Sequence, residues 1–126
     1  MNKKECEEHK HKIRAWDKKY NVMVELCIDS INELTWSGNY KKDGDYSGLM
    51  QFTGLHDKNG KEVFEGDVLK DDKGQFGQVL WAHNSWLIEW DERDYQGHRI
   101  YNTMTDDCFG YGEVVGNVFE NPELIK

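Results

Sequence analysis

Asp43-Gly44-Asp45-Tyr46-Ser47-Gly48 sets oxygen donors at positions one, three and five and a glycine at position six, the opening spacing of a calcium loop. Position twelve of that frame is Gly54, where a bidentate Glu is required, so a solvated turn is the expected outcome. Cys6, His9 and His11 offer soft metal donors close together, but only three are present and no CxxC pair accompanies them. His56, His83 and His98 stand apart in turn-rich stretches, where a surface imidazole is common. The pairs Asp71-Asp72, Asp91-Glu92 and Asp106-Asp107 could serve acid–base or metal chemistry, yet adjacent side chains on a strand point to opposite faces, and solvated charge is expected.

Glu65-Gly66-Asp67 is the acidic cluster with the strongest claim to a role. Its structural alternative is a turn in which Asp67 accepts hydrogen bonds from nearby backbone N–H groups. The chain has no GxSxG elbow, no GxxxxGKS/T phosphate loop, no HExxH and no GxGxxG after a strand, so no catalytic residue, metal or cofactor is assigned. Binding anchors are the better lead. Trp16, Trp36, Trp81, Trp86 and Trp90 exceed what a small core readily hides, and Trp is a favoured anchor at interfaces. Trp81, Trp86 and Trp90, with Glu65 and Asp67, form the candidate binding set.

Turn chemistry then cuts the chain into short strands. Asp57-Lys58-Asn59-Gly60 supplies Asn and Gly where the backbone takes positive φ at little cost, so residues 49–53 and Val63-Phe64 are expected to pair across it. The chain bends at Glu65-Gly66-Asp67, runs on through Val68-Leu69-Lys70, and turns again at Asp71-Asp72-Lys73-Gly74. Upstream, residues 13–17 and 22–28 read as a hairpin across Lys18-Lys19-Tyr20-Asn21. Residues 29–36 suit a helical face through Ile31, Leu34 and Thr35 or a strand through Ile31, Glu33 and Thr35, and strand is preferred. Residues 37–48 are dense in Gly, Asp and Ser and read as an exposed loop.

The strongest apolar hairpin joins residues 76–81 to 86–90 through Ala82-His83-Asn84-Ser85. Its second strand carries Trp86, Ile88 and Trp90 on one face, which alternation turns toward the core. Residues 91–97 make a polar crossing and 99–101 a short strand. Residues 113–119 are β-branched and interrupted at Gly116-Asn117, as by a bulge or bend, and Asn121-Pro122 starts a terminal turn. Many short strands at close spacing predict a small barrel or sandwich.

Composition sets the outer limits. The 126 residues suit about one domain. Hydrophobic content is 37%, but five Trp, six Tyr and five Phe concentrate apolar burial in few positions. Sixteen Lys and Arg against 24 Asp and Glu leave a net charge of −8, which opposes attraction to phosphate backbones and disfavours direct nucleic-acid binding; Lys41-Lys42 with Arg99 is thin material for a basic patch. Three widely spaced Cys and a charged amino terminus without an apolar signal region predict a reducing cytoplasm, and no apolar run approaches the roughly 20 residues of a membrane span.

Three blocks carry a resemblance: Ile13-Arg14-Ala15-Trp16-Asp17, LMQFTGLHDKNGKEVFEGDVLK at 49–70, and EVVGNVFENPEL at 113–124. In this order they resemble the YopX family of phage and prophage proteins and bracket nearly the whole chain. The resemblance implies a phage or prophage origin and a mainly β pseudo-barrel of SH3-like or PRC-barrel-like character with little helix. It supplies no catalytic residues. Residues 18–48 and 82–109 match no family pattern. The expected organisation is a flexible tail at 1–12 and a single β domain at 13–126.

The expected function is that of a noncatalytic phage accessory protein contacting a host or phage protein in the bacterial cytoplasm. An acidic mimic of DNA that occupies a nucleic-acid-binding protein is the alternative, and a small hydrolase using loop carboxylates with His83 or His98 ranks below it. An unpaired strand edge in a small barrel would also make a homo-oligomer reasonable.

Overall fold

Turn residues recur so often in this sequence that long helices have little room to grow, and among the described residues the regular structure is ten strands and a single 3-10 turn at Pro122–Leu124. The computed structural model describes residues 12–28, 34–37, 41–104 and 112–125. The expected tail lies outside the described residues apart from Lys12, which opens the first strand, and the helix-or-strand choice at 29–33 lies outside them too. The chain divides into two compact units, 1–52 and 53–126.

In the first unit β1 (Lys12–Asp17) pairs antiparallel with β2 (Val22–Ile28), and β2 with β3 (Leu34–Ser37). The other edge of β1 takes β4 (Met50–His56), with Ile13 opposite Gln51 and Arg14 opposite Met50. With a neighbour on each side, all of β1 is buried, and Ala15 and Val24 face each other in full burial. The expected hairpin turn at 18–21 forms, and Asn21 takes a φ of 55°, a left-handed geometry that Asn tolerates.

Asp17 fixes that turn. Its Oδ1 accepts from the backbone N–H groups of Lys19, Tyr20 and Asp45, which also ties the loop at 41–48 back to the hairpin. Lys18 N donates to the Asp45 carbonyl and Ser47 N to the Trp16 carbonyl, completing the seam.

In the second unit β5 (Glu62–Phe64) follows the Asp57–Gly60 turn, and five antiparallel strands form a sheet in the order β10 (Glu113–Asn117), β6 (Asp67–Lys70), β7 (Phe76–Ala82), β8 (Ser85–Arg93), β9 (Arg99–Thr103). Residues directly opposite in the ladder share a face. The registers Val114 to Leu69, Leu69 to Gly77, Gly77 to Trp90 and Trp90 to Ile100 therefore define one side. That side carries the core of Leu69, Val79, Ile88 and Trp90 with Val63 and Met104, against which Leu55, Trp86, Ile100 and Val114 pack. Gly77 has a specific reason to lack a side chain: a Cβ there would come within 2.5 Å of Ile88 Cγ2 and 2.8 Å of Trp90 Cε3. The Trp90 ring occupies the space that any larger residue would need.

Three turns of this unit repeat one device, an Asp-x-x-Gly at 57–60, 71–74 and 94–97. In each, the Gly N–H donates to the Asp carbonyl and the Asp N–H to the carbonyl four residues on. The Asp Oδ1 accepts from the N–H groups two and four residues later, and the Gly adopts positive φ. The side chain satisfies donors that the tight turn leaves outside the ladder. Asp57 does more: its Oδ2 accepts from Val114 N at 2.8 Å, linking the turn to β10.

Candidate functional site

The β7–β8 hairpin closes more tightly than a four-residue connection, since both strands reach the turn at Ala82 opposite Ser85 and leave only His83-Asn84 between them. His83 and Asn84 have φ of 53° and 61°, the paired left-handed geometry of a type I′ turn. This geometry matches the twist of the flanking strands, but a His in it carries a steric cost that Gly would avoid. Behind the turn, Trp81 and Trp86 stand directly opposite, their ring centroids 5.0 Å apart at 68° in an edge-to-face contact. Trp86 rests on the core. Trp81 is 51% exposed.

The expected row of three tryptophans is thus divided by depth. Trp90 is 5% exposed and donates from Nε1 to Asn102 Oδ1 at 2.6 Å, so it is an interior residue rather than a docking anchor. Its polar atom is satisfied inside the sheet, which allows burial at little cost. What reaches the surface is the tip alone: Trp81, His83 and Asn84, on a stretch from Gly74 to Ile88 without one Asp, Glu, Lys or Arg.

Glu65 and Asp67 lie elsewhere. Asp67 is buried and its Oδ2 accepts from Phe64 N at 2.7 Å across Gly66, whose φ is 86°, so it performs the expected turn role. Glu65 is half-buried in the same turn. The calcium-like loop is likewise committed internally. Asp43 receives Lys19 Nζ at 2.7 Å and the Tyr20 hydroxyl at 3.0 Å. Those two donors, Lys19 first, hold its carboxyl below the ordinary range, while the same bonds push Lys19 and Tyr20 up. Among the described residues no three His, Cys, Asp or Glu side chains converge as metal ligands. Cys6, His9, His11 and Asp106-Asp107 lie outside the described residues. His98 stands 3.6 Å from Asp94 in its own turn, and His56 is exposed.

A family model described as YopX protein matches residues 2–126. The chain belongs to the YopX family. The described strands thus give a YopX protein a nearly all-β fold. That fold is similar to the crystal structure of protein EF1440 from Enterococcus faecalis, at 24% sequence identity and a TM-score of 0.53, over 91% of this chain and 97% of that one. The likeness is one of fold. No curated protein matches this YopX sequence. No helix among its described residues is long and apolar enough to cross a membrane.

Sequence reasoning found the tip's tryptophans but not its turn. The signal was present as His83-Asn84 centred between two apolar strands, with Asn in a position that accepts positive φ. It likewise read Asp57 and Asp71 as turn residues without seeing their roles as main-chain acceptors, which the repeated Asp-x-x-Gly spacing with 94–97 encodes.

Proposed function

We propose that this YopX protein is a noncatalytic interaction module of phage or prophage origin that contacts a host or phage protein in the bacterial cytoplasm through the β7–β8 tip. The carrying observation is Trp81, half exposed on β7 beside the two-residue turn and held edge-to-face against Trp86. An indole presented in a fixed orientation loses little conformational freedom on binding, and burying it removes a large apolar surface from water. The carboxylates support the same reading, because Asp57, Asp67, Asp71 and Asp94 accept main-chain hydrogen bonds within turns rather than converging on a pocket.

The test is a photo-crosslinking amino acid placed at position 81 and, as a control, at Lys73 on the exposed Asp71–Gly74 turn. The expected result is a discrete crosslinked protein from position 81, absent from position 73 and competed by unlabelled protein but not by its Trp81→Ala variant. Equal crosslinking from both positions overturns the reading.

The DNA-mimic alternative draws less support. Asp43 is paired with Lys19 at 2.7 Å, Asp72 lies 3.6 Å from Lys58, and Glu89 lies 3.0 Å from Arg99. These acids have their own cations, whereas a mimic needs its carboxylates arrayed for a partner's.

A further inference from the structure

The two edges of the second-unit sheet are finished differently. At β10 the register slips between Val114 and Gly116 in a bulge, Val114 N donates to the Asp57 carboxylate, and Asn117 N donates to Asn121 Oδ1 at 3.3 Å. These features blunt that edge as a template for another strand. The β8–β9 ladder also slips, between Trp90 and Arg93, but that irregularity lies beyond Ile100 and leaves Ile100 to Thr103 in regular register. β9 is the outer strand on the other side, carries no Pro, Gly or Lys, and is uncharged from Ile100 to Thr103. Arg99 is its one charge, and Glu89 neutralises it at 3.0 Å.

The register says which main-chain groups of β9 face outward. Met104 N donates to the Trp86 carbonyl, which makes that pair a hydrogen-bonded one. Hydrogen-bonded and non-hydrogen-bonded pairs alternate along an antiparallel ladder, so Asn102 and Ile100 bond to β8 and the N–H and C=O of Tyr101 point away from it. The strand is also held firmly in place, by the Trp90 to Asn102 hydrogen bond of 2.6 Å and by the Glu89–Arg99 pair. The Tyr101 side chain is 51% exposed on the face opposite the core.

We infer that β9 pairs antiparallel with β9 of a second copy of this chain, about a two-fold axis through Tyr101, joining the two sheets edge to edge. A second copy is the occupant that the charges favour. A net charge of −8 makes two copies repel each other, and β9 is a strip where they meet without opposing like charges. With the two Tyr101 residues opposed, each Ile100 stands beside the other copy's Asn102, and the acidic Asp91-Glu92 ends of the two β8 strands are carried to opposite ends of the joint. Each Tyr101 N–H then donates to the other Tyr101 carbonyl, which satisfies the outward pair.

Sedimentation of the full chain from micromolar to millimolar concentration, with amide hydrogen exchange at Tyr101, tests this. The expected result is a concentration-dependent dimer in which the Tyr101 amide becomes protected as the dimer fills. Tyr101→Lys opposes two ammonium groups across the axis and is expected to raise the dissociation constant roughly fivefold or more, an effect that added salt reverses. Tyr101→Pro removes the outward N–H without touching the β8–β9 bonds and is expected to abolish the dimer. If the Pro variant fails to fold, the Lys variant decides. A chain that stays monomeric throughout overturns the inference. So does a dimer that leaves the Tyr101 amide unprotected, or one that survives Tyr101→Lys and is lost in Trp81→Ala.

Discussion

Trp90 and Trp81 belong to the same hairpin, share one face of it, and have opposite roles. Near the base, Trp90 lies opposite Gly77, whose missing side chain makes room for the ring, and its Nε1 is satisfied by Asn102. At the tip, Trp81 lies opposite Trp86, which takes the inner position on the core and leaves Trp81 half in solvent. The cross-strand partner therefore sets the depth of each indole: a glycine partner draws the ring inward, and a second tryptophan holds it out.

Breaking the base should cost far more than altering the tip. Trp90→Ala empties a core position and strands the Asn102 acceptor, and it should lower unfolding free energy by about 3–5 kcal/mol in a urea titration. Asp57→Ala leaves the N–H groups of Asn59, Lys61 and Val114 without their acceptor, and a loss of roughly 2–4 kcal/mol with faster exchange at those three amides is expected. Gly77→Ala drives a methyl group into Ile88 and Trp90, for which calorimetry should find about 1–3 kcal/mol of destabilisation together with a changed near-ultraviolet signal from the displaced indole.

At the tip the expected changes shrink. Trp81→Ala should shift stability by no more than about 1 kcal/mol, the value of an aromatic edge contact, while removing the position-dependent crosslink. Asn84→Gly relieves a left-handed residue in the turn and should leave the protein equal or more stable, by about 0.5 kcal/mol in thermal unfolding. A larger loss from Trp81→Ala than from Trp90→Ala would reverse the assignment of base and tip.

Much of this architecture was legible in the chain. The turns at 57–60, 71–74 and 18–21 were readable because Asp, Asn and Gly declare positive φ and side-chain-to-backbone bonding locally. Alternation placed Ile88 and Trp90 inward, and Gly116-Asn117 marked the irregular end of β10. The strand after Glu89 was less legible: residues 91–93 are polar, so they read as a crossing, yet they extend β8 with Arg93 opposite Arg99 across a bulge. Exposed backbone can stay in a ladder without apolar side chains when its partner strand holds it there.

The sequence by itself determined the family, the nearly all-β character and the positions of most turns, since all three rest on local residue chemistry and its spacing. Only the tertiary structure decided which tryptophan is buried, which carboxylate is spent on a main-chain acceptor bond, and which strand lies outermost in the sheet. Those outcomes depend on distant partners: Gly77 opposite Trp90 in the ladder, the Val114 N–H that donates to Asp57, and the outer position of β9 at Tyr101. Such partners lie from a dozen to several dozen residues away, and no local pattern names them.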